Sequence, residues 1–92
     1  MRTLICYDIS DDKRRRKVMG IMEGYGYRVQ YSVFECDLDR RKTAELKRRL
    51  RPLVSKKEWE SVRIYPLCAD CQKKRQIIGK DMAQYLEPVE IV

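Results

Sequence analysis

Leu4, Ile5, Cys6, Tyr7 and Ile9 follow one another with only Asp8 breaking the run. So continuous an apolar stretch fits a central strand covered on both faces, because a half-exposed strand would alternate apolar with polar residues. A chain of 92 residues that must bury such a strand makes one small domain. It hides only a modest fraction of its surface, so a second copy is expected to supply the missing burial.

Beyond Asp8, at the C-terminal end of that strand, Ser10 has the chemistry of a helix N-cap and Asp11 and Asp12 suit a first helical turn. Val18, Ile21, Met22 and Tyr25 then recur at helical spacing, and Gly24 and Gly26 end the helix. From Arg28 to Cys36 the side chains alternate, Val29, Tyr31 and Val33 against Gln30, Ser32 and Phe34, as one long strand or two short ones bent near Tyr31 and Ser32. Asp39 can cap a second helix whose stripe is Leu46, Leu50 and Leu53, before Pro52 and Ser55-Lys56-Lys57 weaken the pattern. Ser61 to Leu67 alternates Val62 and Ile64 against Arg63 and Tyr65, a further strand. Residues 79–87 are polar without clear periodicity, and 88–92 form a short β-prone tail.

That order predicts an α+β fold: a ferredoxin-like βαββαβ sandwich over residues 1–80, with two helices on one face of an antiparallel sheet. Residues 81–92 are expected to carry an extra C-terminal strand that completes the sheet of a second copy, since an open edge offers unpaired backbone groups. The fold is therefore expected to be homodimeric. The chain shows no internal repeat, low-complexity stretch or linker.

Charge narrows the partners. Against 14 Asp and Glu stand 21 Lys and Arg, for a net charge of +7 and a pI near 9.4, which favours a polyanion over an acidic small molecule. No apolar stretch approaches the roughly 18 residues a membrane helix needs, so no membrane partner is expected. Met1-Arg2 leads straight into the first strand with no small-residue cleavage site, and the expected compartment is the cytoplasm. There the four cysteines, Cys6, Cys36, Cys68 and Cys71, are expected as free thiols. Cys68 and Cys71 have C-x-x-C spacing, but a zinc site needs four ligands and the chain has no histidine. The plainer reading makes them small, partly buried residues at a strand end; two such pairs meeting in a dimer would be a four-thiolate alternative.

Lys13-Arg14-Arg15-Arg16-Lys17 places five cations in the first turns of a helix, against its macrodipole. An external anion explains them better than helix stability does, although a solvated face is the plainer alternative. A second stretch, Arg40 to Lys57, carries nine cations and one acid, Glu45. Lys47, Arg48, Arg49 and Arg51 lie toward a helix C-terminus, where positive charge is favoured anyway. Asp8, beside these cations, reads as a metal-binding acid next to a phosphate-binding surface, with a turn or capping role as the bland reading. With no histidine, the chemistry left for phosphodiester attack is chiefly water activated by a metal ion on carboxylates. One Asp is a thin magnesium site, but a two-fold axis can set two copies of Asp8 around one ion. Trp59 and the six tyrosines lack the basic-aromatic interleaving of a single-strand platform, so they are expected in the core or an interface. For Tyr7, Tyr31 and Tyr65, in strands, burial is the default.

Several of these segments together are similar to a known family. Tyr7-Asp8-Ile9-Ser10-Asp11-Asp12 with Arg14-Arg15, Tyr25-Gly26, the run Arg28 to Glu35, and Ser61 to Leu67 resemble the CRISPR-associated protein two family, the small subunit of CRISPR spacer acquisition. The resemblance covers most of residues 1–80. It implies a homodimeric ferredoxin-like fold whose C-terminal strand completes the partner's sheet, with Mg2+ at the dimer interface on Asp8. It further implies a metal-dependent endonuclease acting on RNA or double-stranded DNA, and a non-catalytic scaffold role that joins the CRISPR integrase subunit around spacer DNA. By motif, Tyr7 and Asp8 match the metal-site strand, Arg15 and Arg28 match positions tied to cleavage, and Phe34 matches the aromatic of the second motif. Lys17 stands where some relatives have arginine, which keeps the charge and loses the bidentate fork.

Two function classes follow. As an enzyme, Asp8 from both copies holds magnesium while Lys13, Arg14, Arg15, Arg16, Lys17 and Arg28 bind the backbone. As a scaffold, the basic surfaces and the dimer suffice. A free-standing RNA-binding module is disfavoured by the expected lack of exposed strand aromatics.

Overall fold

A computed structural model describes residues 1–79; the tail at 88–92 and the boundary expected at residue 80 lie outside the described residues. The elements run β1 (Arg2–Asp8), α1 (Asp12–Glu23), β2 (Gly26–Gln30), β3 (Val33–Asp37), α2 (Arg40–Leu50), β4 (Ser61–Pro66) and α3 (Ala69–Lys73), with 3-10 turns at Arg51–Leu53 and Lys56–Glu58 before β4. The sheet order is β2-β3-β1-β4, every pair antiparallel. The first six of these elements are the expected βαββαβ order, and β1 is interior as its apolar run requires.

Register sets the core. Ile5 lies opposite Phe34 of β3 and Ile64 of β4, so the three share a face. Val18 and Met22 of α1 and Leu46 and Leu50 of α2 pack into one buried cluster with Ile5, Tyr7 and Phe34. The next residues along β1, Leu4 and Cys6, alternate to the opposite face and are only half-buried. The helices α1 and α2 thus cover one face. On the other, Arg75 donates to Glu35 at 2.9 Å.

Local details depart from the sequence reading in instructive ways. The N-cap of α1 is Asp11, whose carboxylate accepts from the Arg14 N–H at 2.8 Å; Ser10 is held elsewhere, by Glu60. Tyr25 falls outside α1, its hydroxyl donating to Glu45, with the Arg49 guanidinium 5.6 Å above its ring. The Arg28 to Cys36 segment is two strands, turned at Ser32 with φ 67°. Gly26 opens β2 instead of ending the helix, because a Cβ there would meet the Glu35 carbonyl and stand 2.7 Å from Cys36 Sγ. Asp39 caps α2 as expected, accepting from Lys42 N–H at 2.7 Å.

Several burial expectations are corrected. Tyr31 is 69% exposed and Tyr65 44%, against the burial expected of strand tyrosines, of which only Tyr7 is buried; Trp59, expected in the core or an interface, is 92% exposed in the single chain and so outside the core. Tyr31 sits at a hairpin turn and Trp59 at a loop tip, where no layer covers them. Tyr65 is an exposed aromatic on a strand, so the expected lack of such residues does not hold and no longer argues against RNA binding. Cys68 and Cys71 are exposed at the start of α3, with Cys68 Sγ accepting from the Cys71 N–H. All four cysteines are unbridged. Burial pushes the Cys36 thiol up to about 11, while the Cys71 N–H holds Cys68 below its ordinary value.

Candidate nucleic-acid interface

Asp8 ends β1 in solvent, directly opposite Ser61 of β4. Because Tyr7 faces α1 and α2, alternation turns Asp8 to the opposite face of the sheet. Among the described residues, no group of three or more His, Cys, Asp or Glu gathers as a metal cluster. Within one chain Asp8 therefore belongs to no such cluster.

On the helix side of the same sheet end lies an open cavity of about 400 Å3. Tyr7, Arg15, Arg16, Arg28 and Tyr31 line it, together with Asp12 and Met19. The last turn of β1 brings Tyr7, the first turns of α1 bring Arg15 and Arg16, and the β2–β3 hairpin brings Arg28 and Tyr31. A backbone bond fixes these pieces: Tyr7 N–H donates to the Ser32 carbonyl at 3.0 Å. Arg15 pairs with Asp12, donates to the Ile9 carbonyl at 3.3 Å and lies 5.9 Å from the Tyr31 ring centroid. Arg28 reaches Met19 Sδ at 3.4 Å. Under Tyr7, Phe34 stacks at 6.2 Å and 29°. Burial pushes the Tyr7 hydroxyl above its ordinary value of 10.0, with the Arg28 and Arg15 charges pulling the other way. At neutral pH it is a neutral hydroxyl beside three guanidinium groups, a set of donors suited to phosphate oxygens.

The structure gathers Tyr7, Arg15, Arg16 and Arg28 at this cavity and sets Phe34 beneath it. Asp8 stays on the opposite face, and Lys13 and Lys17 are exposed on α1. Arg14 goes elsewhere. Its guanidinium donates through both terminal nitrogens to Glu60 and to the Leu53 carbonyl at 2.9 Å. Glu60, with a side chain 1% exposed, also accepts from Ser10 N–H at 3.0 Å, the Ser10 hydroxyl at 2.7 Å and Ser55 N–H at 2.9 Å. Arg14 first, then the Ser10 hydroxyl and the two backbone donors, hold this carboxyl well below the usual carboxylate range against the effect of burial. The steering role expected for Arg14 is thus corrected: the side chain is committed inside the fold. Glu60 was not anticipated, because one acid among fourteen carries no sequence mark of its partners.

The second basic stretch borders a larger groove of about 940 Å3 beside α2 and β4, where Arg40, Lys47, Arg48 and Arg51 stand along one side.

The chain is similar to known proteins over most of its length. A family model described as CRISPR associated protein Cas2 matches residues 1–75. The chain is 49% identical over 76 residues to "CRISPR-associated endoribonuclease Cas2 1" of Chloroflexus aurantiacus, covering 83% of this chain and 82% of that protein. It is 55% identical over 77 residues to "CRISPR-associated endoribonuclease Cas2 3" of Synechocystis sp., covering 84% and 83%. Among solved structures, Streptococcus pyogenes Cas2 at pH 6.5 aligns with a TM-score of 0.73 at 33% identity over 86% of this chain and all of that one, 100%. A chain of a partial Cas6-RT-Cas1–Cas2 complex aligns with a TM-score of 0.70 at 32% identity, covering 84% and 89%.

Proposed function

This chain belongs to the CRISPR-associated protein Cas2 family, and from that premise we propose that it is the small nuclease of CRISPR spacer acquisition. It hydrolyses phosphodiester bonds in RNA or double-stranded DNA, and it acts in the cytoplasm as a homodimer joined to an integrase subunit. The endoribonuclease names of its relatives and its likeness to a chain of a Cas1–Cas2 complex support this reading. Among the described residues no helix is long and apolar enough to cross a membrane. The observation that carries the reading is the exposed strand-end Asp8 at the same sheet end as the Tyr7, Arg15 and Arg28 cavity.

Magnesium is the proposed cofactor, and the donor chemistry suits it. Asp8 is a hard oxygen ligand, and magnesium needs only one or two carboxylates, completing its shell with water and substrate phosphate. Two copies related by a two-fold axis would supply Asp8 twice. The half-buried Leu4 and Cys6 on the face opposite α1 and α2 favour such pairing, and residues 88–92 are proposed to extend it. When bound, the ion supplies Lewis acidity toward the phosphate and water.

The protein's own residues do the rest. Arg15, Arg16 and Arg28 grip non-bridging phosphate oxygens, and the neutral Tyr7 hydroxyl donates to the same backbone. Phe34 positions Tyr7. Lys13 and Lys17 attract the strand from solvent, and Arg14 secures the loop on Glu60. The basic groove beside α2 favours a second role, capture of DNA without cutting, in which Asp8 is dispensable.

Purified protein should cut labelled RNA or duplex DNA with magnesium and stop when EDTA is added. Binding without cleavage under every metal condition would leave only the scaffold role. With no histidine in the chain, cleavage should rise from neutral toward alkaline pH.

A further inference from the structure

Trp59 is the chain's one tryptophan and stands in solvent, 92% exposed. Core packing gives it no reason to be there. Its backbone is left-handed, φ 57° and ψ 30°, a conformation that is strained for a bulky residue and persists where the surroundings over-determine it. Here they do. Trp59 N–H donates to the Lys56 carbonyl at 3.3 Å, and the Glu58 and Glu60 N–H groups both donate to Ser55, at 3.3 and 3.2 Å. The buried Glu60 carboxylate then ties this turn to Ser10 and Arg14. The indole projects from a rigid mount.

Charge identifies what it meets. Lys56 and Lys57 precede it in the same turn, both exposed, and outnumber Glu58. A flat apolar ring beside two cations is the pairing that holds an unpaired nucleotide, the ring under the base and the cations on its phosphates. Register supplies the location. Ser61, two residues on, lies opposite Asp8 across the β1–β4 pair, so Trp59 leaves the sheet at the end where Asp8 is exposed.

We propose that Trp59 is a stacking platform for an unpaired base of single-stranded RNA or DNA, with Lys56 and Lys57 on the flanking phosphates. The inference rests on the nuclease reading for its polynucleotide and narrows the substrate to strands with an unstacked base. A duplex offers no free base face along its length, whereas every base in a single strand has one, so stacking tolerates any sequence.

The absence of other tryptophans makes Trp59 its own probe. The full chain is titrated at low salt with a short oligouridine, an oligothymidine and a blunt duplex of equal length, following indole emission and, with labelled strands, anisotropy. Emission should be quenched in step with binding of the single strands and stay unchanged with the duplex. Trp59→Ala should weaken single-strand binding about fivefold or more and leave duplex binding and the melting temperature alone, and Trp59→Phe should recover most of the loss. Quenching by only one single strand would assign the platform to RNA or to DNA. Binding of single strands without any change in emission would overturn the stacking platform while the nuclease reading stood. No binding of any polynucleotide would remove that reading and the platform with it.

Discussion

Arg14 and Arg15 are neighbours in one run of five cations, yet they belong to different regions of the molecule. Arg14 ends on Glu60, a carboxylate 1% exposed whose oxygens also take donors from Ser10 and Ser55. Arg15 ends at an open cavity beside Arg28 and Tyr7, its ion pair with Asp12 lying at the surface. The first region is closed, with each charge matched inside the protein; the second holds more positive than negative charge and faces solvent. A basic run is thus not one functional unit. What each guanidinium meets decides whether it stabilises the chain or remains available for phosphate.

The strongest perturbation joins the two regions through the core. Phe34, fully buried at 0% exposure under Tyr7, should cost about 3–5 kcal/mol on truncation to alanine, and both denaturant midpoint and nucleic-acid binding should fall. Next comes Arg14→Ala, which leaves the buried Glu60 carboxylate without its cation. Calorimetry should show a melting temperature lower by several degrees, with binding per folded molecule unchanged. If binding fell while melting held, the division between the regions would be wrong.

The converse pair is Arg15→Ala and Arg28→Ala. Each should weaken binding uniformly across sequences and reduce the salt slope by about 1. The stability change should stay within about 0.5 kcal/mol, since surface ion pairs contribute little. The smallest effect is one of pH. Glu60 is depressed in the folded state, so its contribution to stability is fully present above its ordinary value of 4.5 and is lost as pH falls from there toward its folded value. Acid unfolding curves of Glu60→Gln should be flatter than those of the parent below that pH, and parallel curves would contradict the assignment.

Patterns of local spacing were legible in the residues. The apolar run of β1, the helical repeat of Val18 and Met22, the alternation around Phe34 and the Asp39 cap each depend on neighbours a few positions away, so the order of elements followed from them. Ser10 and Asp11 are both good caps, and what separates them is Glu60, 50 residues beyond Ser10, which no local rule detects. Tyr31 is exposed against the burial its strand position suggests, because residue type reports average burial while a hairpin turn leaves this side chain uncovered. At the candidate site, motif and charge point to Asp8, Arg15 and Arg28, and the fold sets the two arginines at one cavity. That Asp8 and the cavity occupy opposite faces emerged only from the strand's alternation in the folded sheet.

In the proposed dimer, two copies of Asp8 share one divalent ion. Binding of manganese, a paramagnetic stand-in for magnesium, can be counted by electron spin resonance against protein concentration, for the parent and for Asp8→Asn. One tightly bound ion is expected for every two chains, lost in Asp8→Asn while the dimer sediments unchanged. One ion per chain, or tight binding that survives Asp8→Asn, would contradict it.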